Sequence, residues 1–409
     1  MSKALIFLVV SRWGSCVPTM VYAGSLPFLL NPWSMSATEA GLVQSAFNLC
    51  FGASLLVSSW AADRIGPRLI FDAANWVAVI AFLACALFAR DSGTAVVLFG
   101  ALGLALGASY SPALMLVSNA VPPKSRGAAI GWLLAGQSVG YFTAIALSAG
   151  LVPSIGFERG WLYLAAFPAI AAIAGNITGR MLPMARAKGA VSGEDPAVPT
   201  RDARRAGLLT AGYSAHCWEL FGMWAWAPAF LTIALAGRLQ ASSIVMAVLI
   251  AGVLHLAGAL ATLVCGAASD RVGRKRVLVG TAIMGAGLSS IFGWTADWMP
   301  IALLTVAALY GFAPIADSGV LSTAMTDAVP PHRLGRALAL RSALGFAAGA
   351  AAPLAVGQVL DWSNPGGGPA TDWTLAFGVL GIGGLVAAIC ATLLPTDIDQ
   401  FRKRGTTND

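Results

Sequence analysis

Apolar residues in this chain come in long runs, where a soluble helix would show a stripe and a half-buried strand an alternation. Leu69 to Phe88, Ser243 to Cys265 and Leu375 to Leu394 are three such runs. Crossing the hydrocarbon core as a helix takes ~20 mainly apolar residues, because in lipid each backbone group must find its partner within its own segment. The pattern predicts twelve helices, over 4–29, 37–61, 69–89, 94–119, 127–151, 160–182, 207–235, 242–267, 276–294, 299–327, 334–359 and 373–394. Helix 2 has a marked start, since Ser36-Ala37-Thr38-Glu39 reads as a capping box.

Composition turns this pattern into a class. The 409 residues are 57% hydrophobic and 11% charged, with a mean hydropathy of +0.76, against about 25% charged residues in soluble domains. The fold class is therefore an all-α polytopic membrane protein. Arg12 interrupts any short leader-like run, and the apolar stretch resumes to Leu30, so the first helix reads as uncleaved. The triplet Asn176-Ile177-Thr178 lies within a predicted span, out of reach of glycosylation. All six cysteines fall in predicted spans and read as apolar filler, with no metal-binding spacing. The absence of HExxH, GxSxG and phosphate-loop motifs argues against an enzyme, and no cofactor is implied.

Charge supplies an orientation. With both termini cytoplasmic, nearly all of the 25 Lys and Arg fall on the inner side; the outside keeps Arg90, Arg159 and Arg238, and Arg12 and Arg341 lie inside helices. Such a bias sets topology. Trp33, Trp161, Trp294, Trp298, Trp362 and Trp373 are placed near the outer interface, where indole rings favour the headgroup region. The net charge of +7 is thereby explained without nucleic acid as a partner. Compact Ala- and Gly-rich loops lead us to expect a bacterial inner membrane, with membrane lipids around a protein that works as a monomer.

An internal repeat organises the chain. Asp63-Arg64-Ile65-Gly66 recurs as Asp270-Arg271-Val272-Gly273, an offset of 207, and Ala120-Val121-Pro122-Pro123 recurs as Ala328-Val329-Pro330-Pro331, an offset of 208. Each half then carries six spans, and an even number gives both the same orientation. The expected domains are a six-helix bundle over 1–182, a linker over 183–206, a second bundle over 207–394 and a cytoplasmic tail over 395–409. The linker is rich in Pro, Gly, Ala and charge.

These repeated motifs resemble the major facilitator superfamily of secondary transporters over nearly the whole length. The family signature between helices 2 and 3 is G-x-L-A-D-R-x-G-R-K. The copy from Gly266 to Lys275 follows it well, whereas the copy from Ser59 to Arg68 keeps Asp63, Arg64 and Gly66 but opens on serine. The resemblance implies a fold of two six-helix, pseudo-symmetric bundles whose helices 1, 4, 7 and 10 line a central cavity. It also implies a gating role for Asp63, Arg64, Gly66, Asp270, Arg271, Gly273 and Arg274. Glycine permits the tight reversal, and the aspartates can meet cations or helix ends in the facing half. Two departures weigh against drug/proton antiport: Tyr141 stands where the helix 5 pattern G-x-x-x-G-P has proline, and Gly103 stands where many members hold arginine before Gly107.

Polar side chains at mid-membrane depth mark the candidate site, since a charge there costs about 2.5–3.5 kcal/mol on insertion scales. Arg12, Ser15, Thr19 and Tyr22 share one face of helix 1; His216, Glu219, Met223 and Trp226 share one face of helix 7. The offset of 207 makes Arg12 and Glu219 equivalent positions. Helix 10 adds Tyr310 and Asp317, helix 5 Gln137 and Tyr141, helix 8 His255, and helix 11 Arg341. We expect Arg12, Thr19, Tyr22, Gln137, Tyr141, Trp226, Tyr310 and Arg341 to contact solute. Glu219, Asp317, His216 and His255 are the candidates for proton coupling, because a cavity that opens and closes can switch a carboxyl group's protonation. The expected function is alternating-access transport of a small polar or anionic organic solute, by proton symport or solute exchange. The rivals are multidrug/proton efflux and a non-transporting membrane sensor.

Overall fold

The computed structural model describes residues 2–121, 126–181, 200–239, 241–365 and 370–395. Twelve helices are long and apolar enough to cross a membrane: α1 Lys3–Phe28, α2 Ala37–Ile65, α3 Pro67–Phe88, α4 Ser92–Val117, α5 Ala129–Ile155, α6 Phe157–Met181, α7 Ala203–Leu235, α8 Ser243–Val272, α9 Arg274–Asp297, α10 Pro300–Ala328, α11 Arg333–Ser363 and α12 Thr374–Leu393. Leu69, Ile80, Phe88, Val97, Ile301 and Ile389 are among many exposed apolar side chains on the flanks, the surface a bilayer would cover.

Helix ends follow local chemistry. The predicted capping box closes α2: Ser36 Oγ accepts from Glu39 N–H at 3.1 Å, and Glu39 Oε2 accepts from Ser36 N–H at 2.9 Å. The repeated glycines do the same job twice. Gly66 (φ +101°) and Gly273 (φ +97°) end α2 and α8 in a backbone conformation that L side chains resist, and a new helix follows each directly. One boundary differs from expectation. Residues 200–206, assigned to the linker, are helical, because the helix of α7 starts at Thr200. Charged residues there stop a membrane span but are good helix formers, so hydropathy finds the bilayer entry and not the helix start. Residues 183–199 and 396–409, like Pro122 and Pro123, lie outside the described residues.

Packing repeats along with the sequence. In the first half α1 packs on α5 and α6, α2 on α4, and α3 on α6; in the second α7 packs on α11 and α12, α8 on α10, and α9 on α12. Each pair maps onto its partner by a shift of six helices. The halves meet through α2 with α11 and α5 with α8, contacts that the same shift exchanges, and through α1 with α7. The tryptophans expected at the outer interface divide by exposure. Trp294, Trp298 and Trp362 are exposed, but Trp33, Trp161 and Trp373 are buried. An indole N–H that finds an acceptor inside, as Trp161 does on Ser25 Oγ at 2.9 Å, has no need of the interface.

Candidate functional site

Small residues decide where the polar groups meet. A Cβ on Gly140 would stand 2.6 Å from the Trp13 carbonyl oxygen, and one on Gly136 3.0 Å from that of Val9. With hydrogen there instead, α5 closes on α1. Gln137 thereby reaches Arg12, whose Nη2 donates to Gln137 Oε1 at 2.5 Å, and Gln137 Nε2 donates to the Tyr141 hydroxyl at 3.1 Å. The guanidinium also sits over the Tyr110 ring of α4, 4.7 Å from its centroid. Arg12 is only 5% exposed and about 14 Å along α1 from Lys3 at 1.5 Å per residue. It has no carboxylate partner among the described residues, and its Nε lacks a hydrogen-bond acceptor there.

Tyr141 carries this cluster across to the other half. Its ring packs edge-on against Trp224 of α7 at 5.2 Å and His255 of α8 at 5.6 Å, and those two rings lie 6.1 Å apart. Arg341 of α11 forms a second cationic spot, over the Tyr213 ring of α7 at 4.2 Å, with Ser322 Oγ accepting at 3.3 Å. Arg341 likewise has no carboxylate partner among the described residues.

The carboxylates lie elsewhere. Ser289 of α9 donates to Glu219 Oε1 at 2.6 Å, and the Tyr310 hydroxyl of α10 is 2.8 Å from the same Ser289 Oγ. A Cβ at Gly285 would come within 2.8 Å of Glu219 Oε1, so that glycine makes the room. Asp317 stands where α10 is interrupted, three residues after Pro314, and its Oδ1 lies 2.7 Å from His216 Nδ1. Asp317 also lines a narrow, largely apolar crevice with Leu208, Gly212, Leu278 and Leu321. Glu219 and Arg12 thus face different neighbours and form no ion pair.

Of the predicted solute contacts, Arg12, Gln137 and Tyr141 come together, and His255 joins them rather than the acids. Arg341 stands apart with Tyr213. Thr19 is half-buried on α1. Tyr22 is packed inside the first half, its hydroxyl on the Ala40 carbonyl oxygen at 3.1 Å and its ring on Phe99. Tyr310 serves the Glu219 group. Trp226 is buried in the second half, its Nε1 donating to the Pro353 carbonyl oxygen at 3.0 Å and its ring beside Trp373. The aromatic residue of α7 that reaches the cluster is Trp224. The choice of Trp226 followed from sharing a face with Glu219, and that face turns into its own half.

In the second repeat motif the contacts between described residues lie within its half. Arg274 Nε donates to Asp327 at 2.6 Å, its Nη1 is 3.6 Å from Asp270, and Lys275 reaches the Leu394 carbonyl oxygen. Arg271 and Asp63 are exposed, and Arg64 lies over the Trp60 ring at 3.9 Å. A carboxylate does hold a helix end across the halves, but at the opposite end of the bundle. Asp361 at the end of α11 accepts from Ala37 N–H and Thr38 N–H at the start of α2, both at 2.8 Å. Ser45 Oγ with Leu354 N–H and Asn48 Nδ2 with the Gly349 carbonyl oxygen extend that seam. The sequence signal for Asp361 was faint, a lone acid near a predicted helix end.

Comparison with known proteins settles the family. The family model described as Major Facilitator Superfamily matches residues 8–256 and 219–407. The chain belongs to the major facilitator superfamily. It is 25% identical to the cis,cis-muconate transport protein of Acinetobacter baylyi, over 87% of this chain and 86% of that one. It is also 25% identical to a putative niacin/nicotinamide transporter of Bacillus subtilis, over 90% and 89%. A D-xylose-proton symporter of known structure superposes with a TM-score of 0.73 at 16% identity, covering 96% of this chain and 98% of that one, which shows the shared fold. As a member of this superfamily the chain is an integral, multi-pass membrane protein and a secondary transporter of organic solutes, not an enzyme.

Proposed function

We propose that this transporter carries a small polar or anionic organic solute by alternating access, with Arg12 as the contact for negative charge. One observation carries the reading. A buried guanidinium within the apolar span α1 is held by an amide and an aromatic face, with no carboxylate partner among the described residues. Such a charge is costly in lipid and is stabilised when an anion arrives. The similar muconate transporter is named for an organic acid, which supports the same chemistry, and the niacin/nicotinamide transporter for an acid together with its amide. The domains are the two six-helix bundles joined by the 183–199 segment, rocking about the site between them. Asp361 and the α2–α11 seam hold the far end closed, so the solute path faces the side of the chain termini. We assign that side to the cytoplasm of a bacterial inner membrane from the Lys and Arg bias, and take the monomer as the working unit. The repeat motifs at Asp63 to Gly66 and Asp270 to Arg274 form the opposing gate. Proton coupling, in symport, falls to Glu219 and to the His216–Asp317 pair; without it the same site would exchange solutes.

The test is the thermal stability of the purified protein against nicotinate, cis,cis-muconate, their uncharged amides and a set of lipophilic cations. A ligand that binds only the folded state at a hundred times its Kd adds about 2.7 kcal/mol. The expected result is stabilisation by acids over amides, lost in Arg12→Ala. Stabilisation confined to lipophilic cations and indifferent to Arg12 would instead establish the efflux reading.

A further inference from the structure

Beyond the charge contact, three buried or half-buried nitrogens around Tyr141 lack hydrogen-bond partners among the described residues: Arg12 Nε, Trp224 Nε1 and His255 Nε2. They do not lie at one point. Arg12 approaches the hydroxyl end of Tyr141 through Gln137, whereas Trp224 and His255 pack against its ring. The cation therefore meets Tyr141 at its hydroxyl end, and the two ring nitrogens belong to residues packed on its ring.

His255 owes its position to an irregularity. Residues Gly252–Leu256 of α8 form a π-helical turn inside an otherwise α-helical span. The extra residue in such a turn rotates a side chain away from the face that the α-helical repeat would give it, and such turns gather at functional sites. Here it faces His255 towards α5 and α7, 2% exposed and between the two halves. An imidazole nitrogen buried there without a partner is destabilising. The indole N–H can only donate, while Nε2 of a neutral histidine donates or accepts, according to tautomer.

We propose that His255, with Trp224, is a specificity-determining residue that reads the end of the solute opposite its carboxylate, and that the solutes are flat, ring-sized acids with a hydrogen-bonding group at that end. The inference rests on the organic-acid reading above. An acid of this kind would put its carboxylate on Arg12 from the first half and its ring hydroxyl or ring nitrogen on His255 and Trp224 from the second. It would thereby bridge the two bodies that must move together. An unsubstituted ring of the same size leaves both nitrogens buried and unpaired, and sites built this way reject such analogues strongly.

The experiment measures Kd by calorimetry for benzoate, 4-hydroxybenzoate and pyridine-3-carboxylate with the full-length protein and with His255→Phe and His255→Gln. The wild type should prefer one of the substituted rings over benzoate by about ten-fold or more. That preference should fall towards one in His255→Phe and be partly kept in His255→Gln, whose amide can still hydrogen-bond. Should His255→Phe fail to fold, Trp224→Phe carries the same comparison. An unchanged ratio between ligands, even with all affinities lowered together, would overturn the inference and leave the organic-acid reading standing. A wild type that binds none of the three acids, or binds them without preference, would overturn it too; stabilisation by cis,cis-muconate that is lost in Arg12→Ala would still leave the organic-acid reading standing.

Discussion

Arg12 and Glu219 occupy equivalent places in the two halves, separated by the repeat offset of 207, yet they do different things. In the first half α5 closes on α1 over Gly136 and Gly140, and an amide on that helix takes the guanidinium. Through Tyr110 and Tyr141 the Arg12 group remains in touch with the boundary between the halves. In the second half the room lies on the other side of the helix, at Gly285 of α9. The Glu219 carboxylate turns into it and meets Ser289 and Tyr310. Pseudo-symmetry sets the backbone position; what the neighbouring helices offer, an amide at Gln137 of α5 or room at Gly285 of α9, sets the direction of the side chain. Under the proposed cycle this becomes a division of labour, a cation for the solute and acids inside one moving body.

The sharpest way to break this comparison is to neutralise each partner and ask which step fails. Arg12→Ala should remove binding. Glu219→Gln keeps the shape and a hydrogen bond to Ser289, so binding and solute exchange in proteoliposomes should persist within a few-fold. Accumulation driven by an imposed proton gradient should instead disappear. Loss of exchange and accumulation together in Glu219→Gln would contradict the division, since the acid would then belong to solute binding.

A smaller effect distinguishes the two seams between the halves. At α2–α11 the Asp361 carboxylate caps the start of α2 from across the boundary. At the start of α8, the equivalent place beside α5, the cap is local, Ser242 Oγ accepting from Val245 N–H. A carboxylate at a helix N-terminus contributes about 0.3–1 kcal/mol. Asp361→Asn should therefore shift the balance of inward- and outward-open states by up to about five-fold. Spin-label distances between the far ends of α2 and α11 read this directly. No shift beyond that of Ser242→Ala would show that the two seams close alike.

Much of the architecture was legible in the sequence, and the reason is physical. Apolar runs of membrane length have one stable outcome in lipid, and the doubled Asp-Arg-x-Gly motif fixes the two reversals that its glycines permit. The site was legible only in part. Arg12, Gln137, Tyr141 and His255 stood out because polar groups at that depth are rare. Residue type, however, grouped His255 with the acids, and spacing put Trp226 with the solute. A π-helical turn rotates the first, and no hydropathy pattern announces such a turn. The second is held by the Pro353 carbonyl oxygen and Trp373, more than a hundred residues away in the chain. Side-chain direction in a bundle depends on residues of other helices, which no single-helix pattern contains.

Trp226 and Trp224 sharpen this last point with the smallest expected effect. Trp226 donates to the Pro353 carbonyl oxygen, an acceptor beside the α2–α11 seam, and packs on Trp373 inside the second half. Trp226→Phe keeps most of the packing and loses that hydrogen bond, about 1 kcal/mol. The melting temperature should fall by a few degrees, while the KM for uptake stays within about two-fold. Trp224→Phe should show the reverse, because its indole N–H has no partner among the described residues in the absence of solute, and its ring faces Tyr141 and His255. Its stability should hold and its KM should rise. If Trp226→Phe instead raises KM with stability intact, the face carrying Glu219 looks onto the solute after all, and the inward turn of the second half's acid is wrong.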